Sequence, residues 1–147
     1  MQNAQTRATL SLPDMERFLI RVNRELGLTR GAAFVRFVTD AEMKRLNSRF
    51  RKKAKTTDVL SFPAETRSRP RSFRRRTMEV RGKFLGDIAI SPTVARRNAK
   101  AFGRSLSEEI CVLMLHGVLH LLGYDHETDR GEMERVEAKL RSRLGLS

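Results

Sequence analysis

Residues 105–126 read SLSEEICVLMLHGVLHLLGYDH, and this stretch decides how the chain folds. Ser105 and Glu108 have the spacing of a capping box, which predicts the start of a helix. The positions that follow are apolar on most sides, so we expect the helix over 106–122 to run through the centre of the protein. Gly123 lacks a Cβ atom and can adopt the left-handed conformation that ends a helix.

The three histidines of the chain, His116, His120 and His126, all lie within this stretch. Histidines four residues apart on a helix project from one face, and a turn at Gly123 brings His126 toward the same point. A single histidine on an apolar helix face is usually a hydrogen-bonded core residue, but three that converge favour one metal ion. Imidazole binds zinc, copper, nickel and iron, and the three-ligand pattern favours zinc. Three protein ligands leave a fourth position open, which is typical of catalytic zinc sites.

The rest of the chain alternates between strand and helix patterns. Strands are predicted at 6–12, 32–39, 58–62 and 84–90, and helices at 13–26, 39–50, 91–102 and 106–122, with a final helix from about Asp129. The expected fold is α+β, a single domain over residues 1–147 with about four strands in a mixed sheet, about five helices and a metal-binding central helix. Asp87 in the strand GDIAI is either an acceptor for a histidine N–H or a strand-end residue that hydrogen-bonds locally.

Charge is the second strong feature of the sequence. Thirty lysines and arginines stand against 17 aspartates and glutamates, which gives a formal net charge of +13. Such an excess favours a polyanionic partner, because cations that bind phosphates release condensed counterions. Much of the charge lies at 49–55 and 67–76, and Pro70 predicts a loop for the second segment. A solvated surface without a partner is the alternative for each charge run, and the role of the 67–76 loop stays open.

The single cysteine and the apolar segments limit the compartment. Cys111 has no partner for an intramolecular disulfide, which fits a reducing compartment, and we expect an inert, buried thiol there. The N-terminal residues have no apolar signal region, and no stretch approaches the roughly 18 apolar residues of a membrane span. We therefore expect a soluble cytoplasmic protein without a membrane partner.

Three segments together resemble the YbeY family of bacterial metal-dependent endoribonucleases. They are LNSRFRKKAKTTDVLSFP at 46–63, LGDIAIS at 85–91 and HGVLHLLGYDH at 116–126. The resemblance implies one Zn²⁺ per chain held by His116, His120 and His126, and a functional arginine at Arg51. It also implies maturation of the 3′ end of small-subunit rRNA and ribosome quality control. The implied partners are rRNA and the small ribosomal subunit, together with ribosomal proteins and assembly GTPases, and no DNA.

Two other functions fit parts of the same pattern. The histidine window resembles the metzincin protease signature HExxHxxGxxH, but Gly117 stands where those proteases have their glutamate base. A glycine cannot accept a proton, so the protease hypothesis ranks below the nuclease hypothesis. The other alternative is a ribosome-assembly factor, in which the metal is structural and the basic surface only binds RNA. The sequence does not identify the general base of the nuclease.

Overall fold

The computed structural model describes residues 1–5, 8–51, 57–64, 84–125 and 129–146, with the backbone alone for residues 50 and 51. Within these ranges the strands are β1 (Gln2–Asn3), β2 (Ala33–Phe37), β3 (Val59–Pro63) and β4 (Gly86–Ile90). The helices are α1 (Leu12–Glu25), α2 (Asp40–Arg51), α3 (Pro92–Phe102), α4 (Leu106–Leu121) and α5 (Glu132–Arg143). In the described part of the chain, the predicted α+β fold with a four-stranded mixed sheet and five helices is confirmed.

The sheet has the strand order β1-β2-β4-β3, so β4 lies between two neighbours. It pairs with β2 in parallel and with β3 in antiparallel register, and Ile88 lies opposite Val35 on one side and Ser61 on the other. Successive side chains of a strand point to opposite faces of the sheet. Ile88 and Ile90 therefore face one side, and Asp87 and Ala89 face the other.

Helix α4 covers the face to which Ile88 points. Its side chains are buried in one cluster with those of β2 and β4, and α1, α3 and α5 contribute to the same cluster. The residues of α4 that are fully buried are Ile110, Met114, Leu115, Val118 and Leu119. The prediction that this helix runs through the centre of the protein is therefore confirmed.

Helix α2 covers the opposite face of the sheet. Met43 and Leu46 of α2 pack with Leu60, Phe62 and Ala89 in a second, smaller buried cluster. The sheet thus has helices on both faces. Strand β4 is flanked by β2 and β3 within the sheet and covered by α4 on one face and α2 on the other. A helix placed on β4 consequently has a rigid support.

Local hydrogen bonds and backbone conformations mark the helix ends where the sequence predicts them. The hydroxyl of Ser105 accepts a hydrogen bond from the Glu108 N–H over 3.1 Å, as expected at the N-cap of α4. Thr39 does the same at the start of α2, where its hydroxyl accepts from the Glu42 N–H over 3.2 Å. Gly123 follows α4 with a φ of 100°, which is the left-handed conformation predicted for it.

The two ends of the chain differ from the prediction. The first strand is not at 6–12: β1 is Gln2–Asn3, and α1 already begins at Leu12, where Pro13 suits the first helical turn. Residues 6 and 7 lie outside the described ranges. The last helix, predicted from about Asp129, begins at Glu132 with Gly131 as its N-cap, and the Asp129 carboxylate accepts a hydrogen bond from the Met133 N–H over 2.9 Å. Among the described residues, no helix combines the length and the apolar character that crossing a membrane requires.

Candidate metal site

Helix α4 brings His116 and His120 together on one face, one turn apart. Their Nε2 atoms lie 3.0 Å from each other. The ring centroids are 4.6 Å apart and the ring planes meet at 71°. Each ring thus presents its Nε2 atom to the other. Both side chains are partly exposed. The predicted pairing of these two histidines is therefore present in the fold.

The arrangement of the two Nε2 atoms fits a shared metal ion. Two nitrogens bound to tetrahedral zinc at about 2.0–2.1 Å are separated by about 3.3 Å. The observed separation of 3.0 Å suits a hydrogen bond between the two rings and is about 0.3 Å shorter than the separation on zinc. His126, the predicted third ligand, lies outside the described residues. Within the described residues, no three side chains of the histidine, cysteine, aspartate or glutamate types form a complete metal-binding group.

A carboxylate from α5 lies on the other side of the His116 ring. The Nδ1 atom of His116 is 3.4 Å from Oε1 of Glu137, and the side chains of the two residues are 22% and 13% exposed. Glu137 is not among the residues predicted from the sequence. Glu137 lies four residues after Met133 and three before Leu140, so it shares the face of α5 that these two buried residues form. A charged residue on the apolar face of a helix needs a partner, and this was the signal in the sequence.

Two roles are open for Asp87 from the sequence, an acceptor for a histidine N–H or a strand-end residue that hydrogen-bonds locally. Its side chain is fully buried, and its neighbours across the sheet are Phe34 of β2 and Phe62 of β3. The alternation along β4 places Asp87 on the face covered by α2, whereas the histidines are on α4 at the other face. Asp87 and the two histidines of α4 therefore lie on opposite sides of the sheet, and the carboxylate beside His116 is that of Glu137.

Gly117 allows α4 to lie directly on β4. A Cβ atom at this position would be 2.8 Å from Cγ2 and 2.9 Å from Cδ1 of Ile88, well inside normal carbon–carbon contact. The Ser61 hydroxyl donates a hydrogen bond of 3.1 Å to the Gly117 carbonyl, which ties β3 to the same turn of the helix. A glutamate at this position would point into the sheet. Ile88 therefore leaves no room at this position for the glutamate that acts as the base in metzincin proteases.

Arg51, residues 67–76 and Cys111 are the other positions that the sequence singles out. Arg51 ends α2, but its side chain and residues 67–76 lie outside the described part of the chain. Cys111 is partly buried, and burial raises the pKa of its thiol to about 11, while Arg21 lowers it and Glu108 raises it. This thiol is therefore protonated at neutral pH, which agrees with the predicted absence of a chemical role.

Comparisons with known proteins agree with the motifs. Residues 2–145 match the protein family described as Endoribonuclease YbeY. A protein of that name from Solibacter usitatus is 48% identical over 140 residues, which cover 95% of this chain and 83% of the relative. The protein of that name from Koribacter versatilis is 45% identical over 139 residues, covering 95% of this chain and 81% of the relative.

The fold also has a solved counterpart. The solution structure of TM1509 from Thermotoga maritima superimposes with a TM-score of 0.59, covering 97% of this chain and 87% of that one. The sequence identity is 23%, so this likeness concerns the fold alone. It agrees with the mixed sheet and helices described above.

Proposed function

The chain belongs to the Endoribonuclease YbeY family, and we propose that it is a zinc-dependent endoribonuclease that cleaves single-stranded rRNA. The observation that carries the proposal is the histidine pair of α4, with Nε2 atoms 3.0 Å apart. His116 and His120 would hold one zinc ion per chain together with His126. The reaction is the maturation of the 3′ end of small-subunit rRNA, and the same cleavage serves ribosome quality control.

The chain's own residues have distinct tasks in this proposal. His116, His120 and His126 would hold the zinc ion, which would supply Lewis acidity for cleavage of the phosphodiester bond. Arg51 binds the phosphate that is cleaved. Its planar guanidinium can donate two parallel hydrogen bonds to the phosphate oxygens and stabilise the negative charge that develops on them in the transition state. The net charge of +13 attracts the RNA and raises its rate of association. The partners are rRNA and the small ribosomal subunit, with ribosomal proteins and assembly GTPases, in the cytoplasm.

The two alternatives make different demands on the same site. A metalloprotease of the HExxH type needs a glutamate after the first histidine, and packing against Ile88 leaves no room for one at Gly117. This observation disfavours the protease. A ribosome-assembly factor with a structural metal needs the same histidines and the same charge. Only an assay of RNA cleavage therefore distinguishes it from the nuclease.

Metal analysis and RNA cleavage by the purified protein test the proposal together. We expect one equivalent of zinc in the wild type, cleavage of a labelled single-stranded RNA, loss of cleavage with a chelator and recovery when zinc is added back. His120→Ala should lose both zinc and cleavage, whereas Arg96→Ala, at an exposed site on α3, should keep both. A wild type that binds zinc and RNA without cutting would favour the assembly factor, and chelator-sensitive cleavage of peptides alone would favour the protease.

A further inference from the structure

The two ring nitrogens of His116 face different partners. Nε2 faces the Nε2 atom of His120 at 3.0 Å, and Nδ1 faces Oε1 of Glu137 at 3.4 Å. A neutral imidazole carries a hydrogen on one nitrogen and a lone pair on the other, so the partner of one nitrogen decides the role of the other. An ionised carboxylate only accepts hydrogen bonds. Glu137 therefore favours the hydrogen on Nδ1 and leaves the lone pair on Nε2.

The carboxylate of Glu137 is held by a packed helix. Met133 is fully buried and Leu140 is 6% exposed, and both anchor α5 in the main core cluster on either side of Glu137. The Glu137 side chain is itself 13% exposed, so the pair with His116 is shielded from water more than an ordinary surface ion pair. The packing of α5 in the core therefore fixes the position of the Glu137 carboxylate.

We propose that Glu137 is a positioning residue, which orients the His116 ring and holds it in the Nδ1–H form so that Nε2 is presented to the metal ion. The metal part of this inference rests on the proposed function, whereas the form of the ring does not. Carboxylates that accept from the second nitrogen of a ligand histidine commonly contribute about 10–100-fold to metal affinity. Glu137 is not itself a ligand, because it lies beside the nitrogen that faces away from His120.

Two measurements on Glu137→Ala test this inference, with Glu134→Ala as the matched control. Glu134 is on the same helix and has the same side chain, but it is exposed. The first measurement is zinc affinity, obtained by competition with a chromogenic chelator. The second is the hydrogen position on His116 in the metal-free protein, read from long-range ¹H–¹⁵N NMR at mildly alkaline pH, where a free imidazole is neutral. Circular dichroism establishes that each variant is folded.

We expect Glu137→Ala to bind zinc about 10–100-fold more weakly than the wild type and to shift His116 toward the Nε2–H form. Glu134→Ala should change neither quantity. Glu137→Gln keeps the side-chain length and an acceptor oxygen, so it should recover part of the affinity, and it also replaces the alanine variant if that variant does not fold.

The positioning role is overturned if His116 is already in the Nε2–H form in the wild type, or if its form is the same in Glu137→Ala. Equal zinc affinity in Glu137→Ala and Glu134→Ala would also overturn it. If the wild type binds no zinc at His116 while the ring form shifts as expected, the proposed function fails and the orienting contact stands. The two failures are therefore distinguishable.

Discussion

Gly117→Ala is expected to destabilise the protein through a single contact, although alanine normally favours a helix. The added Cβ would lie 2.8, 2.9 and 3.1 Å from three carbons of Ile88, whereas non-bonded carbons prefer about 3.5–4.0 Å. Ile88 is fully buried in the strand between β2 and β3, so it has little freedom to withdraw. Either the helix or the strand must therefore move by several tenths of an ångström.

The size of the effect follows from two opposing contributions. Overpacking a well-filled core costs about 1–3 kcal/mol, and replacing glycine by alanine inside a helix gains about 1 kcal/mol. We therefore expect a net loss of about 1 kcal/mol in the free energy of unfolding. Because His116 is next to Gly117 and His120 is one turn further on, the displaced helix should also bind zinc more weakly.

A double-mutant cycle with Ile88→Ala isolates this contact. Ile88→Ala removes all three carbons that the new Cβ would meet and itself costs about 2–5 kcal/mol. In that background Gly117→Ala should become stabilising by about 1 kcal/mol, since only its helix propensity remains. Urea unfolding of the four metal-free proteins measures the coupling. A coupling below about 0.5 kcal/mol, with the same sign of effect in both backgrounds, would refute the steric explanation.

Three further predictions concern the helix cap, the thiol and the arginine. Ser105→Ala should lower the free energy of unfolding by about 1 kcal/mol through loss of the N-cap hydrogen bond, whereas the exposed Ser107→Ala should not, as measured by urea unfolding. Because burial raises the pKa of the Cys111 thiol to about 11, its alkylation by iodoacetamide should be slow at neutral pH and accelerate with pH up to about 11, and rapid alkylation at pH 7 would contradict this. Arg51→Ala should slow RNA cleavage far more than Arg96→Ala and reduce the salt dependence of binding by about 0.7 in log–log slope, and equal effects of the two variants would show that Arg51 is only one of many surface cations.

Local signals explain why the central helix could be predicted from the sequence. Ser105 and Gly123 act through hydrogen bonds and backbone conformations within a few residues, so their effect is readable from their immediate neighbours. The pairing of His116 and His120 follows from helical spacing alone. These features are independent of what packs against the helix, and the structure contains them as predicted.

Contacts between distant elements explain what the sequence could not predict. The alternation along β4 separates Asp87 from Ile88, but only the packing of α4 shows which of the two residues faces that helix. Glu137 approaches His116 because α5 folds back on α4, which no spacing within either helix indicates. The first strand is two residues long and is defined by pairing with β2, so it has no period that a sequence pattern could reveal.

The most direct test of the central claim is a zinc titration of RNA cleavage, starting from metal-free protein. If the histidine pair of α4 belongs to the catalytic site, the cleavage rate should be negligible at the start and should rise in proportion to added zinc. The rate should stop rising at one zinc per chain, and His116→Ala should show no rise. Cleavage that is already complete without metal, or a fully zinc-loaded protein that leaves the RNA intact, would contradict the account.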